Sequence, residues 1–87
     1  MLYLLKGRYE ISGEKLGEGN SSKVFKAIDT YKNRVVAIKR MKNKKQAKKE
    51  AKIMERYPSH PHLIEFYDFF IEDRYAYIIM EAYSVKR

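Results

Sequence analysis

The chain has 87 residues, 45% of them hydrophobic and 34% charged, a balance that fits one water-soluble packed unit and excludes collagen-like, disordered and membrane-spanning classes. Cysteine is absent, which removes a disulfide framework and any thiolate metal site and favours an intracellular, cytoplasmic setting. Lysine and arginine number 19 against 11 acidic residues, for a net charge of +8; this permits a polyanionic partner without choosing between nucleotide and nucleic acid.

No apolar run approaches the roughly 18 residues that span a bilayer, and Met1 to Leu5 is too short for the apolar core of a signal peptide before Lys6 intervenes. No membrane partner is therefore expected. The chain carries no internal repeat and no linker-like stretch, so residues 9–83 read as one packed unit, with 1–8 as an N-terminal extension and 84–87 as the start of a hinge or a C-terminal tail.

In chain order, Tyr9 to Leu16 reads as a strand and Gly17 to Ser22 as a turn. Lys23 to Asp29 then places Val24, Lys26 and Ile28 on one side and Phe25 and Ala27 on the other, the period-two pattern of a second strand. A turn through Thr30 to Arg34 leads to a third strand, Val35 to Met41, rich in β-branched residues. Lys44 to Tyr57 has neither Gly nor Pro and is dominated by helix formers, so a helix is expected there, ended by Pro58. At about 100° per residue, Ala47, Ala51, Met54 and Tyr57 share its apolar stripe, with Ile53 at the edge and Glu50 in the middle. Leu63 to Ile71 and Tyr75 to Glu81 read as two further strands around the turn Glu72-Asp73-Arg74. The expected fold is α+β, a five-stranded antiparallel sheet with one packed helix.

The basic run from Lys39 to Lys49 reads as a solvated helix face and its approach loop. It contains no aromatic residue, whereas single-stranded nucleic acids are held by stacking as well as charge, so a nucleic-acid role is disfavoured.

Chemistry could reside in two places. Glycines between strands let a backbone approach a ligand and aim N–H groups at phosphate oxygens, but Gly17-x-Gly19 taken alone reads as turn geometry. A Gly-Lys-Ser or Gly-Lys-Thr ending is absent, and the glycines lead into a strand where a dinucleotide fold would place a helix. The second candidate is Lys39, on the same side of its strand as Ala37 and Val35. Glu50 lies on the buried stripe of the helix that packs against this sheet, where an unpaired carboxylate is costly to desolvate. Placing Lys39 opposite Glu50 satisfies both groups and holds an ammonium beside the glycine turn.

Taken together, Leu16-Gly17-Glu18-Gly19-Asn20-Ser21-Ser22-Lys23-Val24 and Val36-Ala37-Ile38-Lys39 resemble the small lobe of a protein kinase. Glu50-Ala51-Lys52-Ile53-Met54 is similar to that lobe's helix, His60-Pro61-His62 to the loop before its fourth strand, and Tyr77 to Tyr83 to the strand that enters the hinge. The resemblance implies that Gly17, Glu18, Gly19, Asn20, Ser21 and Ser22 cover the phosphates of ATP. It implies further that Lys39 holds the α- and β-phosphates while paired to Glu50. Leu16, Val24 and Ala37 would contact the adenine ring, Met80 would stand at the back of the pocket, and Glu81 and Tyr83 would offer backbone groups to the base edge. Met54 and Phe66 would join the lobe's packed spine.

Two departures stand out: Ser22 replaces the loop's third glycine, a change the family tolerates and which is expected to stiffen the turn or slightly crowd the phosphates, and His62 stands where Asn is usual. His60 and His62 supply too few ligands for a metal. The family's His-Arg-Asp and Asp-Phe-Gly segments, which supply the catalytic aspartate and the Mg²⁺ ligands, do not occur in these residues; Asp68-Phe69-Phe70 lacks the glycine. ATP binding is therefore expected without phosphoryl transfer by this chain alone, Mg²⁺ and a protein substrate entering only with a large lobe. Two other readings remain: a non-catalytic interaction module, and a small basic nucleic-acid binder. The aromatic cluster Phe66, Tyr67, Phe69, Phe70, Tyr75 and Tyr77 further raises self-association through an exposed apolar face. Serine or threonine is the default acceptor of a complete enzyme.

Overall fold

The computed structural model describes residues 4–56 and 64–82. The expected helix end at Tyr57 and Pro58, the His60-Pro61-His62 loop and Tyr83 lie outside them.

The elements run β1 (Leu4–Leu5), β2 (Tyr9–Glu18), β3 (Ser22–Asp29), β4 (Arg34–Met41), α1 (Lys44–Arg56), β5 (Phe66–Glu72) and β6 (Tyr75–Glu81). They form one antiparallel sheet of order β1-β2-β3-β4-β6-β5 with a single helix among the described residues. The architecture is the expected α+β one, with six strands in place of five. The extra strand is β1, which pairs Leu4 with Glu10 and Leu5 with Tyr9. Its turn needs left-handed backbone at Lys6 (φ 57) and Gly7 (φ 65), a conformation glycine adopts without steric cost.

The sheet curls until its outer elements meet. Although β1 and β5 stand at opposite edges, Lys6 Nζ lies 3.5 Å from the Asp68 carboxylate and 4.6 Å from the Phe70 ring centre, and Tyr9 stacks on Phe70 at 6.1 Å. Two bulges in β2, flanking Lys15, supply part of this curvature, and Gly13 beside the first has φ 91.

Strand alternation divides the core between the two faces. Inside the curl lie Leu5, Tyr9, Ala27, Val36, Ile38, Tyr77 and Ile79. Under the helix lie Ala37, Met41, Ala76, Ile78 and Met80, met by Ala47 and Ala51 of α1. Ile38, Ile78, Ile79 and Val36 are fully buried, each worth about 1.5 to 3 kcal/mol relative to an exposed side chain. The aromatic residues do not form a single exposed face. A bulge between Phe66 and Asp68 sends Phe66 and Phe69 to the helix side, and Tyr67 and Phe70 into the curl with Tyr75 and Tyr77.

The helix starts where Asn43 accepts a hydrogen bond from the Gln46 amide at 2.9 Å, satisfying one of the free N–H groups of the first turn. Ala47 and Ala51 are its buried residues, while Ile53 is exposed.

One buried charge ties the N-terminal turn to the sheet. Asp29, 1% exposed, accepts bonds from Arg8 Nε (2.7 Å) and Nη2 (2.8 Å) and from the backbone amides of Tyr31 and Lys32. Thr30 closes the arrangement by donating its hydroxyl and its amide to the Arg8 carbonyl. The Arg8 bond, with the two amides, pulls the Asp29 carboxyl down to about 2 against the opposing effect of burial. Because this value lies below that of an unfolded aspartate, the stability it contributes is complete above about pH 4. It is lost as the pH falls from there through about 2. Acid titration followed by circular dichroism should show unfolding in that window, and Asp29→Asn should flatten the pH dependence there.

Candidate functional site

β4 runs through the centre of the sheet and presents Ala37, Lys39 and Met41 to the helix side. Its register sets Ala37 beside Lys26 and Met80, and Lys39 beside Val24 and Ile78. On that face Leu16, Val24, Ala37, Lys39, Ile64, Met80 and Glu81 line a recess of about 320 Å³, within the size range of small-molecule sites. Five of these side chains are apolar and two carry charge.

Lys39 is held there by the helix. Its Nζ lies 2.8 Å from Glu50 Oε1, and Glu50 Oε2 accepts a 3.3 Å bond from the Gln46 side-chain amide one turn earlier. Both partners are about 30% exposed (27% for Lys39, 31% for Glu50). They keep access to water, and the pair orients a charge without sealing it away. The helix thus fixes the ammonium in position while leaving its other donors for a ligand.

The turn between β2 and β3 carries Gly19, Asn20 and Ser21, with Gly17 and Glu18 at the end of β2 and Ser22 at the start of β3. Gly19 donates its amide to the Ser22 carbonyl at 2.8 Å, closing a tight hairpin. Neither Gly17 nor Gly19 adopts left-handed φ, so the turn itself does not demand glycine at either position. A Cβ on Gly17 would meet nothing within 4 Å, whereas one on Gly19 would lie 3.3 Å from Ser22 Oγ. The serine that stands in the third glycine position therefore occupies the space a side chain at residue 19 would need. Glu18 is bonded to Lys15, which holds its carboxyl below the usual carboxylate range.

The structure thus brings Leu16, Val24, Ala37, Lys39, Met80 and Glu81 onto one recess and places Glu50 against Lys39. Glu18, Gly19, Asn20, Ser21 and Ser22 line a second, more polar recess behind the turn, and Gly17 lines neither. Ile64 is a wall residue that sequence reasoning missed. It precedes β5 in a stretch without strand or helix structure, and only the packing of that stretch against the helix-side core brings it to the recess. Glu81 is fixed on both sides, its amide donating to the Glu65 carbonyl (2.9 Å) and its carboxylate accepting from the Glu65 amide (3.1 Å).

A curled antiparallel sheet, one helix and a lysine clamped by a helical glutamate beside a glycine hairpin define a protein kinase small lobe. Residues 10–87 match the protein kinase domain family, and the chain belongs to it. It is 38% identical over 88 residues to NUAK family SNF1-like kinase 1 of Mus musculus and equally to that of Homo sapiens. Each alignment covers 92% of this chain and 13% of the relative. It is 28% identical over 87 residues to an Acanthamoeba polyphaga mimivirus protein named as a serine/threonine-protein kinase, covering 90% of this chain and 19% of that protein. The chain therefore spans less than a fifth of the length of these relatives.

Proposed function

We propose that this chain is the ATP-binding small lobe of a serine/threonine protein kinase. The reading is carried by one juxtaposition: the Lys39 ammonium, bonded to Glu50 at 2.8 Å, is on the lining of an otherwise largely apolar recess of about 320 Å³. An adenine ring needs apolar walls and a few directed polar groups; a polyphosphate needs a fixed cation and close-approaching backbone amides. Leu16, Val24 and Ala37 supply a wall for the ring, and Met80 closes its back. The Glu81 amide is already donated to Glu65, so this residue meets the base edge through its carbonyl. Tyr83, outside the described residues, completes the set by position in the sequence alone.

Lys39 binds the α- and β-phosphates as an oriented cation, and the hairpin from Gly17 to Ser22 folds over them. The open space around Gly17 suits close approach of the phosphates to the backbone, which turn geometry does not explain. In the complete kinase, phosphate would pass from ATP to a serine or threonine hydroxyl, a preference supported by the mimiviral relative. Transfer also needs an acceptor-side aspartate and Mg²⁺ ligands, and neither the His-Arg-Asp nor the Asp-Phe-Gly segment is among these 87 residues. This chain alone therefore binds nucleotide without transferring phosphate.

A fluorescent ATP analogue titrated into the chain should bind saturably, with Kd on the order of 1 mM, equivalent to about −4 kcal/mol. Unlabelled ATP should compete. Absence of saturation, or release of phosphorylated protein from a pure preparation, contradicts this function as stated.

A further inference from the structure

The reverse face of the glycine hairpin carries a charge arrangement that the nucleotide recess does not use. Strand alternation places Lys23 and Arg40 on the side opposite Val24 and Lys39. The register sets these two cations directly across from each other on β3 and β4. Like charges in that position are destabilising. Lys42 follows at the end of β4, where its amide meets the Ser21 carbonyl at 3.4 Å.

These residues line a recess of about 120 Å³ with Ser21, Ser22 and Tyr75. The lining holds three cationic side chains and a single carboxylate, that of Glu18, which is already bonded to Lys15. Arg40 is fixed in place, its guanidinium lying 4.5 Å from the Tyr75 ring centre and 5.3 Å from that of Phe25. The two rings limit its movement, and a planar fork of N–H groups suits an oxyanion. Ser21 lies beside them on the lining, whereas Ser22, across from Met41, turns its side chain to the nucleotide face.

We propose that this recess is a second anion site that takes a phosphate group, bound by Lys23, Arg40 and Lys42 with Ser21 at its edge. A dianion there relieves the repulsion between Lys23 and Arg40. It also bridges the hairpin to the end of β4, so that occupancy holds the flap in one position from behind. Its three cations are not among the residues assigned to the nucleotide, and the site does not depend on that recess being an ATP site. A free phosphate and a phosphorylated side chain share the chemistry, and the two are separable by experiment.

The test is a ¹H–¹⁵N NMR titration of the 87-residue chain, at constant ionic strength, with inorganic phosphate in one arm and O-phosphoserine in the other. Saturable shifts are expected at Ser21, Ser22, Lys23, Arg40 and Lys42 in at least one arm, and the tighter arm identifies the source. The shifts should persist in Lys39→Met. They should weaken at least tenfold in Arg40→Gln with Lys42→Gln. If loss of Arg40 unfolds that double variant, Lys23→Gln with Lys42→Gln, at a half-buried and an exposed position, gives the same reading. Linear shifts in both arms, shifts unchanged in the charge variants, or shifts confined to Val24 and Lys39 and lost in Lys39→Met would each overturn the proposal.

Discussion

Replacing Arg8 with alanine should cost this chain about 3 kcal/mol, the low end of what is lost when one partner of a buried ion pair is removed. Asp29 would keep its negative charge while 1% exposed, with both guanidinium bonds gone. The two backbone amides would still serve it, and Arg34, its Nε 3.9 Å from Oδ2, would keep an ion pair without replacing the lost hydrogen bonds. At about 0.05 to 0.15 kcal/mol per residue, a chain of this size holds roughly 4 to 13 kcal/mol in total, so the loss is a large fraction. Thermal melting should shift down by about 12 to 24 °C, at 4 to 8 °C per kcal/mol. Arg8→Lys should recover part of this, because it restores the charge without the paired bonds. A melting point unchanged within 3 °C in Arg8→Ala would mean that water enters to solvate Asp29.

Lys39→Met should leave the fold intact and remove nucleotide affinity. The pair with Glu50 is partly exposed, so the carboxylate left behind can hydrate. A ligand phosphate, in contrast, loses bonds to a charged donor worth about 1.5 to 3 kcal/mol, or roughly 10- to 150-fold in Kd. Adenosine, which has no phosphate, should bind the variant as it binds the parent. Glu50→Gln should fall between the two, since Lys39 stays charged without its fixed orientation. Equal loss of ATP and adenosine binding in Lys39→Met would show that the lysine supports the recess walls and not the phosphates.

Much of this architecture is legible in the residues because local signals agree with it. The alternation in Lys23 to Asp29 and Val35 to Met41 matches β3 and β4 to within one residue at their starts. The position of Glu50 on an otherwise apolar helix stripe anticipates its bond to Lys39. What escapes the sequence depends on closure of the sheet. β1 is two residues long, too short for periodicity, and exists because pairing with β2 stabilises it. Arg8 and Asp29 are 21 positions apart and meet only when the first turn docks beside the end of β3. The split of the aromatics between faces follows from the bulge at Phe66 and Asp68, which breaks the strict alternation that a strand reading assumes. The Asn43 cap has a signal in Asn43-x-x-Gln46, a polar residue three before a glutamine at a helix start.

The central claim is that the recess beside Lys39 receives an adenine nucleotide, and methyl NMR during an ADP titration tests it most directly. The account predicts that the methyl groups of Leu16, Val24, Ala37, Ile64 and Met80 shift together, saturate with one Kd, and lose that response in Lys39→Met. Shifts confined to the lysine face of α1, or scattered without saturation, would contradict it.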